Sequence, residues 1–200
     1  MARASSPPNR FFLWVDAVGG YWVCLGDAVV IGQPVPGGDA DIPILGDLSK
    51  RQALVRRDGE GYLIEALREV RVEGKRVEGV AALQHGNLMQ LGESVKLAFR
   101  RPHALSATAR LDFVSHHGTQ PSVDAVILMA DSLVLGRKAD SHIVCPHWRG
   151  EVVLYRQHDQ LYCRASCPLE IDGSQQKQPA KLSVNSRVVG DWFSLSLEGM

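Results

Sequence analysis

The sequence has no excess of charge of either sign. Its 200 residues include 22 lysines and arginines and 22 aspartates and glutamates, so the formal net charge is zero. Proteins that bind nucleic acids in general carry a strong basic excess. The charge balance therefore predicts that nucleic acid is not a partner, although it leaves room for a local basic patch.

Long hydrophobic runs are also absent. No stretch approaches the roughly 20 apolar residues that a membrane-spanning helix needs, so we expect no membrane partner. The segment 1–10 contains no apolar core of its own, which is unlike a secretory signal and typical of a frayed leader. We therefore expect a cytoplasmic protein whose four cysteines are reduced.

The sequence lacks a helical apolar stripe of about 12 residues or more. Short β-branched and aromatic runs separated by turn residues dominate instead. A hairpin turn is predicted over Arg56–Gly61, and many short strands favour an all-β sandwich fold. The clearest predicted strands are Phe11–Val15, Tyr21–Leu25, Ala28–Ile31, Gly61–Glu65 and Val70–Val72.

The chain carries an internal duplication. Residues 24–33 recur in altered form at 128–137, so that Gly32 corresponds to Gly136 at an offset of 104 residues. Later segments correspond at an offset of 99 residues (53–55 with 152–154) and of 98 residues (95–99 with 193–197). A period this long indicates a duplicated domain, because solenoid units repeat every 20–50 residues or so. We predict two β-sandwich domains, at 10–102 and 109–200, joined by a linker at 103–108.

The order of motifs in the first copy resembles the forkhead-associated (FHA) domain family. The family pattern is a strand ending in Gly-Arg, then Asp-Ile, then Ser-x-x-His, and later a closing Gly-Asp-x-Ile-x-Leu-Gly. The second copy follows the same order less well. The matching segments are 30–33, 41–42, 48–53, 72–77 and 83–92 in the first copy, and 135–137, 142–143, 151–152, 171–173 and 189–191 in the second.

This resemblance implies two tandem sandwiches whose loops at one end read phosphothreonine peptides without enzymatic activity. A phosphate carries about −1.5 to −2 charges at pH 7 and needs cations together with hydroxyl or backbone donors. In the first copy, the family arginine falls on Gln33 and the phosphate-contacting serine is Ser49. Lys50 and Arg51 follow that serine, and Arg68 falls near the family's peptide-holding asparagine.

Other family positions have changed. Gln52 replaces the histidine that braces the serine loop in the first copy. The second copy keeps the arginine as Arg137, but Trp148 falls near the serine position and Glu151 replaces the histidine. Neither copy has both the arginine and the serine, and losing one charge-assisted phosphate contact costs about 1.5–3 kcal/mol.

Two alternatives to phosphothreonine binding stay open. The loops could serve a phosphate-independent protein scaffold, since both sets have diverged. The second copy also contains enough histidines and cysteines for a tetrahedral zinc site, although their spacing is not that of the usual zinc knuckles. These potential ligands are His142, Cys145, His147, Cys163 and Cys167. Our leading hypothesis is a cofactor-free interaction module that binds a protein or a phosphothreonine peptide, with Gln33, Ser49, Lys50, Arg51, Arg68 and Arg137 as site residues.

Overall fold

A computed structural model of the chain describes residues 9–103 and 105–200. Residues 1–8 of the predicted leader and Ala104 of the predicted linker lie outside this range. All regular elements of the described residues are strands, which confirms the all-β class. None of the described residues belongs to a helix that could cross a membrane.

The described residues form 23 strands. The first eleven are β1 (Arg10–Val15), β2 (Gly19–Cys24), β3 (Ala28–Gly32), β4 (Ile42–Leu45), β5 (Ala53–Asp58), β6 (Gly61–Ala66), β7 (Val70–Val72), β8 (Lys75–Arg76), β9 (Val80–Leu83), β10 (Leu88–Leu91) and β11 (Val95–Arg100). The other twelve are β12 (Ala109–Phe113), β13 (Gly118–Thr119), β14 (Ala125–Leu128), β15 (Ser132–Gly136), β16 (Ile143–Val144), β17 (Val152–Gln157), β18 (Gln160–Ala165), β19 (Leu169–Ile171), β20 (Ser174–Gln176), β21 (Ala180–Leu182), β22 (Arg187–Gly190) and β23 (Phe193–Gly199).

The predicted strands are confirmed, with ends that differ by one or two residues. The turn predicted over Arg56–Gly61 is shorter than expected, because β5 continues to Asp58 and β6 begins at Gly61. Gly59 adopts a positive φ of 59°, which a glycine accepts without steric cost, so two residues are enough to reverse the chain.

One large sheet runs through the whole molecule. Its twelve strands follow the order β20-β19-β22-β23-β1-β2-β14-β12-β11-β10-β7-β8. A six-stranded sheet, β13-β4-β3-β5-β6-β9, packs on one half of it, and we call this pair the first sandwich. A five-stranded sheet, β16-β15-β17-β18-β21, packs on the other half, and we call this pair the second sandwich.

The two small sheets lie on opposite faces of the large sheet. In β2, Tyr21 and Val23 belong to the core of the second sandwich, whereas Trp22 and Cys24 belong to the core of the first. Successive side chains of a strand point to opposite faces. The central strands are therefore buried on both faces, which explains why β14 is apolar throughout instead of alternating.

Each sandwich is completed by a hairpin from the other copy. The β1–β2 hairpin pairs with β23, so Leu13 lies opposite Leu197 in the second sandwich. The β12–β14 pair joins β11 in the first sandwich, where Leu111 lies opposite Phe99. The predicted segments 10–102 and 109–200 therefore each contribute strands to both sandwiches.

The hairpin that each copy contributes to the other's sandwich, here called an exchanged hairpin, accepts a hydrogen bond from an arginine. Arg57 at the end of β5 donates from Nη2 to the carbonyl oxygen of Met129, at 3.2 Å. Its counterpart in the duplication, Arg156, donates from Nη1 to the carbonyl oxygen of Leu25, at 2.9 Å. Both carbonyls lie just beyond the last strand of a hairpin, so each copy holds the other's hairpin by a charged hydrogen bond.

Candidate functional site

Three loops of the first sandwich meet in an open groove of about 650 Å³. The loops follow β3, β4 and β6, and Leu67 is the apolar residue of the lining. Five of the six predicted site residues line this groove: Gln33, Ser49, Lys50, Arg51 and Arg68. The sixth, Arg137, follows β15 in the second sandwich and does not join them.

The loop that carries Ser49 is fixed closely to the end of β3. A Cβ atom on Gly32 would lie 2.0 Å from the carbonyl oxygen of Lys50, so only glycine allows this approach. The amide of Gln33 donates to the carbonyl oxygen of Ser49 at 3.0 Å. The backbone of the serine loop is thereby held beside Gln33 at the edge of the groove.

Gln52 ties two of the groove loops together. Its side chain is only 2% exposed. The Oε1 atom accepts the amide of Ser49 at 2.9 Å, and Nε2 donates to the carbonyl oxygen of Glu69 at 2.7 Å. The carbonyl of Gln52 also accepts the amide of Arg68 at 3.0 Å. Gln52 therefore braces the serine loop from the position where the resemblance places a histidine.

The change from histidine to glutamine at position 52 preserves the bracing role. A glutamine amide supplies both a donor and an acceptor, as a neutral imidazole does. The signal was present in the sequence, because the replacement at Gln52 keeps the hydrogen-bonding capacity of the family residue.

The cations of the groove are only weakly engaged by the protein. Arg51 forms an ion pair with Asp39 at 3.1 Å, and both side chains are about half exposed or more. Exposed pairs of this kind contribute at most about 1 kcal/mol, so Arg51 can turn to a competing anion. Lys50 and Arg68 are exposed, and Arg68 donates to the neighbouring carbonyl of Leu67 at 2.9 Å. The groove thus presents a hydroxyl and three cations to solvent.

The corresponding loops of the second sandwich are built differently. Trp148 is 4% exposed and packs against Trp192 and Phe193, with ring centroids 5.7 and 5.2 Å apart. The position aligned with Ser49 therefore offers no hydroxyl. Glu151 forms an ion pair with Lys138 at 2.8 Å, which puts a carboxylate at the rim of a second groove, formed by the loops of this sandwich.

This second groove is larger, about 1050 Å³, and it extends beyond the loops. Lys138, Glu151 and Gly150 line its loop end. Val153, Tyr155 and Arg164 line a part that runs over the outer face of β17 and β18. Arg137 is exposed but is not among the lining residues, so the family arginine of this copy has no partner serine and lies outside the groove.

The potential zinc ligands of the second copy do not converge. Within residues 9–103 and 105–200, no three side chains of histidine, cysteine, aspartate or glutamate form a metal-binding group. Cys145 and Cys163 are buried, and burial raises the pKa of both thiols to about 12. The Nδ1 atom of His142 accepts the amide of Val134 at 2.9 Å. These contacts are those of ordinary core residues.

No protein-family model matches the chain, and no curated protein sequence matches it either. Solved structures do match. The second FHA domain of an ABC transporter from Mycobacterium tuberculosis is 30% identical, over 36% of this chain and 67% of that domain, with a TM-score of 0.32. Mycobacterium tuberculosis EmbR, solved in complex with a low-affinity phosphopeptide, is 25% identical over 50% of this chain, with a TM-score of 0.35. The match spans 26% of EmbR, about a quarter of its length.

A third match covers nearly the whole chain. The N-terminal FHA domain of EssC, a component of the bacterial type VII secretion apparatus, is 11% identical over 94% of this chain and 92% of that one, with a TM-score of 0.26. The ordered motifs of the first copy and its all-strand fold agree with these matches. The chain therefore resembles FHA domains in the order of its motifs and in its fold class.

Proposed function

We propose that the chain is a non-enzymatic interaction module whose first groove binds a phosphothreonine segment of a partner protein. The observation that carries this proposal is the convergence of Ser49, Lys50, Arg51 and Arg68 in one groove. A phosphate there would receive a hydroxyl hydrogen bond and charge-assisted contacts from the cations. The EmbR complex with a phosphopeptide supports the proposal by analogy within the family.

Gln52 supports the same proposal because it fixes the loops before a ligand arrives. A loop that is already ordered loses less conformational entropy on binding, so a modest set of contacts can give useful affinity. Gln33 is the weakest member of the set, since its amide can donate a hydrogen bond but carries no charge. We therefore expect affinity below that of a site with an arginine at this position.

A cytoplasmic location stays a prediction.

The test is binding of the purified chain to a degenerate phosphothreonine peptide library, with the unphosphorylated library as control. Arg51→Ala should weaken phosphate-dependent binding about 10- to 100-fold, since a charged hydrogen bond contributes about 1.5–3 kcal/mol. Ser49→Ala should weaken it by roughly tenfold. Lys96→Ala is the matched control, because Lys96 is an exposed cation of β11 outside the groove. Absence of phosphate-dependent binding at peptide concentrations near 1 mM, about −4 kcal/mol, would refute the proposal.

A phosphate-independent scaffold is the second candidate function. The second sandwich favours it. Trp148 stands at the position of the phosphate-contacting serine and offers no hydroxyl, and Glu151 places a carboxylate at the rim of the second groove. The same library separates the two functions, because a scaffold would bind phosphorylated and unphosphorylated peptides equally.

A further inference from the structure

The outer face of the small sheet in the second sandwich presents a compact group of four side chains. Val153 and Tyr155 on β17 lie opposite Arg164 and Tyr162 on β18. Their neighbours along each strand point inward and are buried in the core, so these four face outward. The two tyrosine rings stack with centroids 5.6 Å apart and planes inclined by 21°. The result is a flat, partly apolar surface with one cation.

The large second groove runs onto this surface. It begins at the Lys138–Glu151 ion pair and crosses Val153, Tyr155 and Arg164 towards Pro179. The groove of the first sandwich stays within its loops and includes no residue from the face of β5 or β6. The extension over the sheet is therefore particular to the second copy.

The duplication supplies an internal comparison for this face. At the offset of 99 residues, Glu65 of the first copy corresponds to Arg164, and Arg56 corresponds to Tyr155. The second copy has thus reversed a charge and replaced a cation by an aromatic ring. Within the described part of the chain, no ion pair involves Arg164.

A second cation lies on the edge strand β21, next to β18. Lys181 on β21 is exposed and lies opposite Tyr162, so it shares the outward face. Glu151, the carboxylate that lines the groove, is already paired with Lys138. Among residues 9–103 and 105–200, neither Arg164 nor Lys181 forms an ion pair, so the face combines these two cations with an apolar strip formed by Val153 and Tyr155.

We propose that this face binds an extended acidic peptide segment of a partner protein, without any requirement for phosphate. Carboxylates of the segment pair with Arg164 and Lys181, and an apolar side chain between them packs on Val153 and Tyr155. Nucleic acid fits less well, because the two tyrosine rings stack on each other and only a few cations are available for phosphates.

The test compares two unphosphorylated decapeptide libraries, one with glutamate at three fixed positions and one with lysine at the same positions. The intact chain should bind the glutamate library in preference, and fluorescence anisotropy of the best labelled peptide gives its affinity. Arg164→Glu, which introduces the residue found at Glu65 in the first copy, should weaken that affinity at least tenfold. Ser49→Ala alters only the first groove and should leave it unchanged, which separates this site from the proposed phosphothreonine site.

Three results would overturn the inference. The glutamate and lysine libraries could bind equally, or Arg164→Glu could leave acidic-peptide binding unchanged. A labelled oligothymidylate that binds the chain more tightly than the acidic peptide, and is lost with Arg164→Glu, would assign the face to nucleic acid. Arg164 is exposed, so the variant should unfold at the same temperature as the parent chain, and circular dichroism checks this.

Discussion

Acidification should destabilise the chain through one buried histidine. His142 is 1% exposed, and its Nδ1 atom accepts the amide of Val134. Burial, together with the nearby His103 ring whose centroid is 5.8 Å away, lowers the pKa of His142 from 6.5 to about 4. The accepted hydrogen bond also fixes the tautomer, because a ring that accepts at Nδ1 carries its proton on Nε2 when neutral.

The sign and size of the effect follow from the two pKa values. The unfolded chain takes up a proton on His142 near pH 6.5, whereas the folded chain takes it up only near pH 4. Lowering the pH through this window therefore favours the unfolded chain. The pKa of His142 differs by about 2.5 between the unfolded and the folded chain, and each pKa unit corresponds to about 1.4 kcal/mol. About 3 kcal/mol of the free energy of unfolding is therefore lost by the time the pH reaches 4. That is a large part of the roughly 5–15 kcal/mol that stabilises a typical domain.

The assay is urea unfolding of the parent chain and of His142→Asn between pH 7.5 and pH 4. An asparagine oxygen can still accept the amide of Val134, so the variant keeps an acceptor but loses the titrating group. The difference in unfolding free energy between the two proteins should change by about 3 kcal/mol in favour of the variant across this range. If both proteins lose stability in parallel, the reasoning about His142 is wrong.

Three other substitutions test how the groove and the exchanged hairpins are held. Gln52→Ala removes two buried hydrogen bonds and should lower the unfolding free energy by about 1–3 kcal/mol, measured by urea titration, while also weakening phosphopeptide binding. Gly32→Ala forces a Cβ against the Lys50 carbonyl and should cost at least about 1–3 kcal/mol in the same assay. Arg156→Gln removes the charged bond to the Leu25 carbonyl and should speed amide hydrogen exchange in the β1–β2 hairpin.

Each of these expectations has a control. Gln52→His restores the family residue and should preserve most of the stability that Gln52→Ala loses. Gly118→Ala meets nothing closer than 3.9 Å, so it should change stability much less than Gly32→Ala. Arg164→Gln removes an exposed arginine of the same sandwich and should leave exchange in the hairpin unchanged. Equal effects in a variant and its control would contradict the corresponding prediction.

The sequence predicted the strands well because their signals are local. Tyr21–Leu25 and Val70–Val72 show β-branched and aromatic residues bounded by turns, and both form strands close to the predicted limits. The grouping of Ser49 with Arg68 was implied by the family resemblance, and it arises because β4 and β6 run in the same direction in one sheet, so the loops that follow them lie at the same end of the sandwich. Its role in phosphate binding stays a prediction.

The exchange of hairpins could not be predicted from the same signals. Leu13 pairs with Leu197, but an apolar hairpin with this alternation would complete either sandwich equally well. Strand patterns specify which face is buried and not which distant strand lies alongside. The burial of Trp148 against Trp192 could not be predicted either, because it depends on a contact between residues far apart in the sequence.

The pairing of β1 with β23 has a consequence for synthesis on the ribosome. Residues 10–24 are made long before the strand that completes their sheet, which spans residues 193–199. Most domains of tandem proteins fold one after another as they appear. Here the second sandwich cannot close until residues 193–199 have been translated, and its long-range pairing predicts slow folding. Until then β1 lacks its partner β23, so one edge of the hairpin stays unpaired and open to pairing with the wrong strand.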